Sequence, residues 1–365
     1  MNSFTFSSDT HRRYTLALIF LVFLPAIGLF VFGIFLEPLY GDLTRVGSYA
    51  ERDFGWEQPQ LDFEKPLYKS DGYHKYHDVV VLGDSFSRVW PLKQWQNYLI
   101  AATGWSVVTL DINHIKWEQV LKNRVFIETP PKYLILESVE REFPGRIKDW
   151  HACEASEISK QPTLPLPLLP RPVHIADLRQ FAKYVERKKD WNNIKLGFVV
   201  NYLLNGAWRR AIGTELTDTR RVNLSSGVVP FSSANKREML VYKDDFEKAP
   251  LWDEMDLLAA GCKMNEVRKK VEANGRTQLI VMVAPDKLTA YSDLVDRHDG
   301  SLRHGGMLAK LSEQHPEVIP RLDLALRSAI RDGEQDVYLP DDTHWGSTGH
   351  RIAAETLLGF LRVRE

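Results

Sequence analysis

Residues 79–87 read Val79-Val80-Val81-Leu82-Gly83-Asp84-Ser85-Phe86-Ser87, an unbroken apolar run that stops at Gly-Asp-Ser. A short β-branched run without polar alternation is the pattern of a strand buried on both faces, as in a parallel sheet. Ser87 to Ala101 follows as a predicted helix. Ser85 is thereby expected at the carboxyl end of a parallel strand, where open α/β sheets place their ligands. It would also lie beside a helix N-terminus, whose free N–H groups and positive dipole end can stabilise an oxyanion. The plainer alternative is that Asp84 or Ser85 merely caps the helix.

Working outward, further apolar runs alternate with helical stretches. Strands are predicted at Ser106–Leu110, Tyr133–Leu136, Gln278–Val283 and Asp336–Leu339, with helices at 116–123, 253–273 and 347–361. Buried strands alternating with helices predict an α/β fold with a mostly parallel sheet covered on both faces. The stretch 155–175 holds Pro162, Pro165, Pro167, Pro170 and Pro172 and reads as extended or looped. Residues 176–210 look helical and amphipathic, and 215–250 look like turns and short strands. The whole of 150–250 is read as an insertion at the ligand edge of the sheet, either a lid or padding.

The chain has 47 Lys plus Arg against 48 Asp plus Glu, so its formal charge of −1 gives no electrostatic reason for a nucleic-acid partner. Its two cysteines, Cys153 and Cys262, lack zinc-site spacing and leave open one disulfide or two buried thiols. Thr15 to Leu36 carries no charge, and its 22 residues would extend roughly 33 Å as a helix. That length suits a bilayer core of about 30 Å. The run is longer than a cleavable signal core and lacks a small-x-small site, so an uncleaved signal anchor is expected. Arg12 and Arg13 ahead of it place residues 1–14 in the cytoplasm. The expected organisation is an anchor at 15–36, a linker at 37–75 and a catalytic domain at 76–365, lying in the periplasm of a Gram-negative source.

A second motif completes the first. Leu339-Pro340-Asp341-Asp342-Thr343-His344-Trp345 leaves a predicted strand end and runs into a helix. A serine nucleophile needs a base, and the base needs a carboxylate to fix its tautomer. Asp342 and His344, two residues apart on such a loop, can deliver both groups to the edge that carries Ser85.

The Gly-Asp-Ser and Asp-x-His blocks together resemble the SGNH (GDSL-type) hydrolase superfamily. Their wording is similar to that of the bacterial polysaccharide O-acetyltransferases grouped with the alginate acetylation proteins. Leu136-Glu137-Ser138-Val139-Glu140-Arg141 and Ala284-Pro285-Asp286-Lys287-Leu288-Thr289-Ala290-Tyr291 add weaker likenesses to that group. Ser85 here precedes the Asp-x-His block, as in ordinary SGNH hydrolases and unlike the alginate proteins. The resemblance implies a three-layer α/β/α fold and a triad of Ser85, His344 and Asp342, with Asp341 as the alternative acid. Where the superfamily supplies oxyanion donors, this chain offers Asn113-His114 and Arg141, although Arg141 also reads as an ion-pair partner of Glu137 or Glu140. Lys287 and Tyr291 are candidates for orienting substrate.

The expected chemistry is acetyl transfer through an acyl-enzyme onto a polysaccharide during its export across the inner membrane. By resemblance, the acetyl donor could be a membrane-bound O-acyltransferase. An O-acetyl esterase and a non-catalytic polysaccharide-binding subunit are the alternatives. No metal or organic cofactor is expected.

Overall fold

A computed structural model describes residues 8–150, 153, 175, 178, 180–225, 227–248, 254–296 and 306–364. Its strands are β1 (Gln60–Phe63), β2 (Val79–Gly83), β3 (Val107–Asp111), β4 (Tyr133–Val139), β5 (Ala182–Val185), β6 (Thr219–Asn223), β7 (Glu238–Tyr242) and β8 (Gln278–Ala284). Four of them form the central sheet in the order β3-β2-β4-β8, every pair parallel.

The apolar runs divide between two cores because side chains alternate across a strand. On one face Val79, Val81, Ile135, Ile280 and Met282 pack with Trp95, Tyr98, Leu326, Leu357 and Leu361. These helical partners come from Trp95–Thr103, Leu322–Arg331 and Ser347–Arg364. On the other face Val80, Leu82, Leu134, Leu136, Leu279 and Val281 pack with Trp117, Phe126, Met264, Val267 and Leu311. Burial on both faces explains why the strands lack polar alternation. The expected α/β/α layering is present.

Three local expectations differ from the structure. The helix predicted from Ser87 begins only at Trp95; one 3₁₀ turn, Ser85–Ser87, follows β2 instead. Trp90 at φ 60° and Pro91 stand between them, and the residue before a proline is pushed out of the helical region. Asp336–Leu339 is no strand; Tyr338 makes one isolated antiparallel bridge with Trp345, which closes the Asp-x-His loop on itself. Within 176–210, β5 pairs antiparallel with β1, and among the described residues helix is confined to a 3₁₀ turn, Trp191–Asn193, and the α-helix Leu196–Ile212. Residues 215–250 do hold short strands, the antiparallel pair β6–β7. The proline-rich residues 155–174 lie outside the described residues.

Asp9–Leu36 forms a helix of 28 residues, long and apolar enough to be a membrane span or a signal sequence. A π-helical turn, Ile19–Phe23, precedes Pro25, whose missing N–H disturbs the preceding hydrogen bonds. Residues 37–75, expected as a linker, carry the helices Asp42–Gly47 and Glu51–Phe54 and strand β1. Tyr40, Gly41 and Thr44 all donate to Oε1 of buried Glu51. The second oxygen of Glu51 accepts from Arg187 at 3.3 Å.

Cys153 and Cys262 are joined by a disulfide across a sequence separation of 109. It ties the segment after β4 to the helix Glu254–Glu272, so its removal frees a long loop in the unfolded chain. Replacing both cysteines by serine is expected to destabilise the domain by about 2–5 kcal/mol. An unchanged denaturation midpoint, measured on the full chain in detergent, would refute a stabilising role.

Candidate active site

Ser85 stands two residues past the end of β2, at the carboxyl edge of the sheet, and is half-buried. Asp84 is the residue that caps the turn: its Oδ1 accepts from Phe86 N at 3.0 Å. The plainer sequence reading therefore falls to Asp84. Among the described residues, the Ser85 hydroxyl has no hydrogen-bond partner. The expected helix dipole behind Ser85 is absent, because the helix starts ten residues later at Trp95.

The turn is held from below by a buried network. Glu137 Oε2 accepts from Asp84 N at 3.0 Å and from Ser87 Oγ at 2.7 Å. Asp84 Oδ2 accepts from Val139 N at 2.8 Å and Arg146 at 3.3 Å. Burial, followed by the charge of Asp84, pushes the Glu137 carboxyl well above its ordinary range. Gly83 is dictated by this crowding, since a Cβ there would meet Ser87 Cβ at 2.5 Å and Glu137 Oε2 at 2.9 Å. In the sequence Glu137 stands out only within a family likeness and as an ion-pair candidate for Arg141. Its signal was a carboxylate inside an otherwise apolar strand, where a buried charge must have partners.

Asp342 and His344 meet as the motif predicts. His344 Nδ1 lies 2.6 Å from Asp342 Oδ1, which also accepts from the His344 backbone N–H at 3.0 Å. Burial would raise the Asp342 carboxyl, but His344, by charge and by hydrogen bonds, brings it down to about 2. An ionised carboxylate can only accept, so Nδ1 carries the proton and Nε2 is left as the basic nitrogen. Nε2 is buried and has no partner among the described residues. The ring of Phe86, the residue after Ser85, packs 5.0 Å from the His344 ring, which brings the two motifs together.

A depressed carboxylate contributes stability that is present above its unfolded value, near 4, and lost as pH falls toward 2. Asp342→Asn is thus expected to be less stable than the parent above pH 4, by about 2 kcal/mol, with the gap closing between about pH 4 and 2. Denaturant titrations of both proteins across that window would test it. A gap independent of pH would contradict it.

Asp341 does not reach His344. It is fully buried, and burial, then the charges of Glu51 and Asp342, hold its carboxyl well above the usual range. Its backbone oxygen accepts from Leu43 N at 2.9 Å, and a Cβ on Gly41 would strike that oxygen at 2.1 Å. On the other side, Asp42 N approaches Asp342 Oδ2 at 3.4 Å. The segment just after the apolar helix is therefore part of the wall around the Asp-x-His loop, a role that no sequence pattern announced. Asp42, Asp342 and His344 each bring a ligand atom within 4.8 Å of the others, although two of the three are already bonded together.

The remaining candidates divide. Lys287 is buried, and its ammonium donates to the backbone oxygens of Leu339, Pro340 and Asp342 at 2.8, 3.0 and 3.1 Å. Burial lowers its value to about 8. The Tyr291 hydroxyl accepts from Tyr338 N at 3.2 Å and is fully buried. Both residues brace the loop, and both are buried. Arg141 is also committed, to Asp286 at 2.7 Å and Asp245 at 3.3 Å. It is an ion-pair residue, as one sequence reading has it, with partners other than the expected Glu137 or Glu140.

Asn113 and His114 are exposed past the end of β3. Asp111 of β3 is in register with Gly83, so Asn113 and Ser85 each lie two residues beyond neighbouring strand positions. Asn113 N donates to Asp111 Oδ1 at 2.9 Å, and His114 Nδ1 lies 2.9 Å from Asp111 Oδ2. Asn113 and His114, with Leu82, Ile112 and Arg146, line a cleft of about 290 Å³ at this edge.

Residues 240–364 match the family model of the SGNH hydrolase-like domain of the acetyltransferase AlgX. The matched segment contains Lys287, Tyr291, Asp341, Asp342 and His344, and Ser85 lies ahead of it. No curated protein and no solved structure matches the chain.

Proposed function

Taking as premise that residues 240–364 carry an SGNH hydrolase-like domain of the AlgX acetyltransferase kind, we propose that the chain is a serine-dependent polysaccharide O-acetyltransferase. The observation that carries this reading is the His344–Asp342 pair at 2.6 Å beside the turn bearing Ser85. In it, His344 Nε2 takes the Ser85 proton and Ser85 Oγ attacks the acetyl carbonyl carbon. The donor's alcohol leaves with the proton that His344 returns. A sugar hydroxyl, deprotonated by the same Nε2, then attacks the acetyl-serine and releases Ser85. The Ser85 backbone N–H and the exposed Asn113 side chain are the donors proposed for the oxyanion, and such a donor is typically worth about 3–4 kcal/mol.

The acceptor is a polysaccharide reaching the edge by way of the Asn113–His114 cleft. The apolar helix serves as the inner-membrane anchor, with the domain in the periplasm, and a membrane-bound O-acyltransferase supplies the acetyl group. The test is to incubate the full chain, in detergent, with a chromogenic acetyl ester and an oligosaccharide acceptor, alongside Ser85→Ala. A sugar heavier by one acetyl group, lost in Ser85→Ala, supports the transferase. Ser85-dependent acetate release with no acetylated sugar supports an esterase. Turnover indifferent to Ser85 would overturn the reading.

A further inference from the structure

The helix Leu196–Ile212 is built inside out for a protein in water. Leu196, Val200, Leu203, Leu204, Trp208 and Ile212 point outward, with Leu204 63% exposed. At about 100° per residue these positions share one broad face, on which Leu196 to Trp208 carries no charge. Two of its polar residues, Asn205 and Arg209, turn inward, while Asn201 and Arg210 are exposed. Asn205 donates to Ser48 Oγ at 3.0 Å, and Arg209 to the backbone oxygens of Gly47 and Ser48 at 3.1 and 3.3 Å. A surface helix normally keeps its apolar stripe on the core and its polar face in solvent.

Its neighbour indicates what covers the outward face. The helix packs on the last turns of the apolar N-terminal helix, where Leu29, Phe32 and Leu36 meet Phe198, Val199 and Tyr202. Gly33 is the point of closest approach: a Cβ there would meet Ile194 Cγ2 at 2.6 Å and Val199 Cγ2 at 3.1 Å. Small residues serve this purpose between helices in lipid. From Leu29 to Leu36 the rise is about 10 Å, close to the depth at which interfacial helices sit.

Charged groups begin where the apolar helix ends. Glu37 pairs with Arg187 and Lys189 at 2.8 and 2.7 Å, and the Arg52 guanidinium lies 3.9 Å from the Phe35 ring centroid. Trp191, half exposed, stands between this belt and the helix, as aromatic residues do at a membrane surface.

We propose that Leu196–Ile212 is a membrane-embedded interfacial helix, its outward face covered by lipid acyl chains. This rests on the reading of the N-terminal helix as a membrane span. The helix comes from the region expected as a lid or padding over the sheet edge, and the proposal gives it a bilayer-facing role instead.

The experiment uses the full chain in vesicles of phosphatidylethanolamine and phosphatidylglycerol. Single cysteines at Leu203, Leu204, Phe23 or Ile127 carry a nitroxide label. The native cysteines are tied in a disulfide and do not compete. Collisions with oxygen, which concentrates in the bilayer, are compared with those of a water-soluble nickel chelate. The expected result is a shift toward oxygen at Leu203 and Leu204 of the same sign as at Phe23, with Ile127 favouring nickel. Nickel-favouring labels at Leu203 and Leu204, with Phe23 still in lipid, overturn the proposal and leave the anchor intact. Nickel-favouring labels at Phe23 as well would remove the anchor reading itself. Labels at Leu203 and Leu204 shielded from both reagents would mean that protein covers the face, and the lipid proposal would fall.

Discussion

Asp342→Asn and His344→Ala are each expected to lower turnover of an acetyl ester about 10,000-fold, whereas Asp341→Asn stays within a few-fold of the parent. The two aspartates are adjacent, so only their environments separate them. Asp342 is ionised at about 2 and holds His344 Nδ1 at 2.6 Å, which keeps Nε2 free to accept the serine proton. An asparagine in its place can donate to Nδ1, which selects the wrong tautomer while leaving the shape intact. Burial and the charge of Glu51 push the Asp341 carboxyl well above its ordinary range, and neither of its carboxyl oxygens has a hydrogen-bond partner among the described residues, so an amide of the same size replaces it with little loss. Equal losses in the two Asn variants would reassign the acid. Undiminished turnover in His344→Ala would end the serine mechanism.

Lys287→Met is expected to destabilise the protein by about 3–5 kcal/mol and to reduce turnover with it. Methionine fills similar space, so a cavity is not the main cause. What is lost is one ammonium serving three buried carbonyl oxygens, and a buried acceptor without a donor bears its full desolvation penalty. One of those oxygens belongs to Asp342, so the carboxylate that holds His344 loses its backbone support at the same time. The measurement is a denaturation midpoint together with kcat on the same preparation. If the midpoint stays at the parent value while kcat collapses, Lys287 acts on substrate, as the sequence had suggested, and the bracing role is wrong.

The legible and illegible parts of this fold separate on physical grounds. Strands β2, β3, β4 and β8 could be read because burial on both faces writes itself as a continuous apolar run. The Asp342–His344 pair could be read because both partners lie on one short loop. Local interactions leave local patterns. The helix after Ser85 was misread because apolar spacing does not register that Trp90 takes a positive φ ahead of Pro91. The partners of Lys287 and Arg141 were illegible for a different reason: they come from distant segments, and a buried ammonium bonded to carbonyls looks like any lysine in sequence. Glu51 and Arg187 were not singled out at all. They meet across 136 residues, and nothing near either one marks the other.

On the proposed function, the contacts of residues 40–44 with the Asp341–Asp342 loop also set the reach of Ser85. A flexible tether would let the reactive serine sweep a broad volume, with an encounter frequency governed by chain length and falling as the tether grows. Here Gly41 touches the backbone of Asp341 and Asp42 touches the carboxylate of Asp342, so no slack separates the foot of the apolar helix from the chemistry. On the proposed reading, with that helix fixed in a bilayer, Ser85 would work at one altitude above the lipid. Under the proposed acetyl transfer, the sugars reached are those of whichever stretch of polymer passes at that height, and an inserted spacer after Leu36 would shift the selection as well as loosen the site.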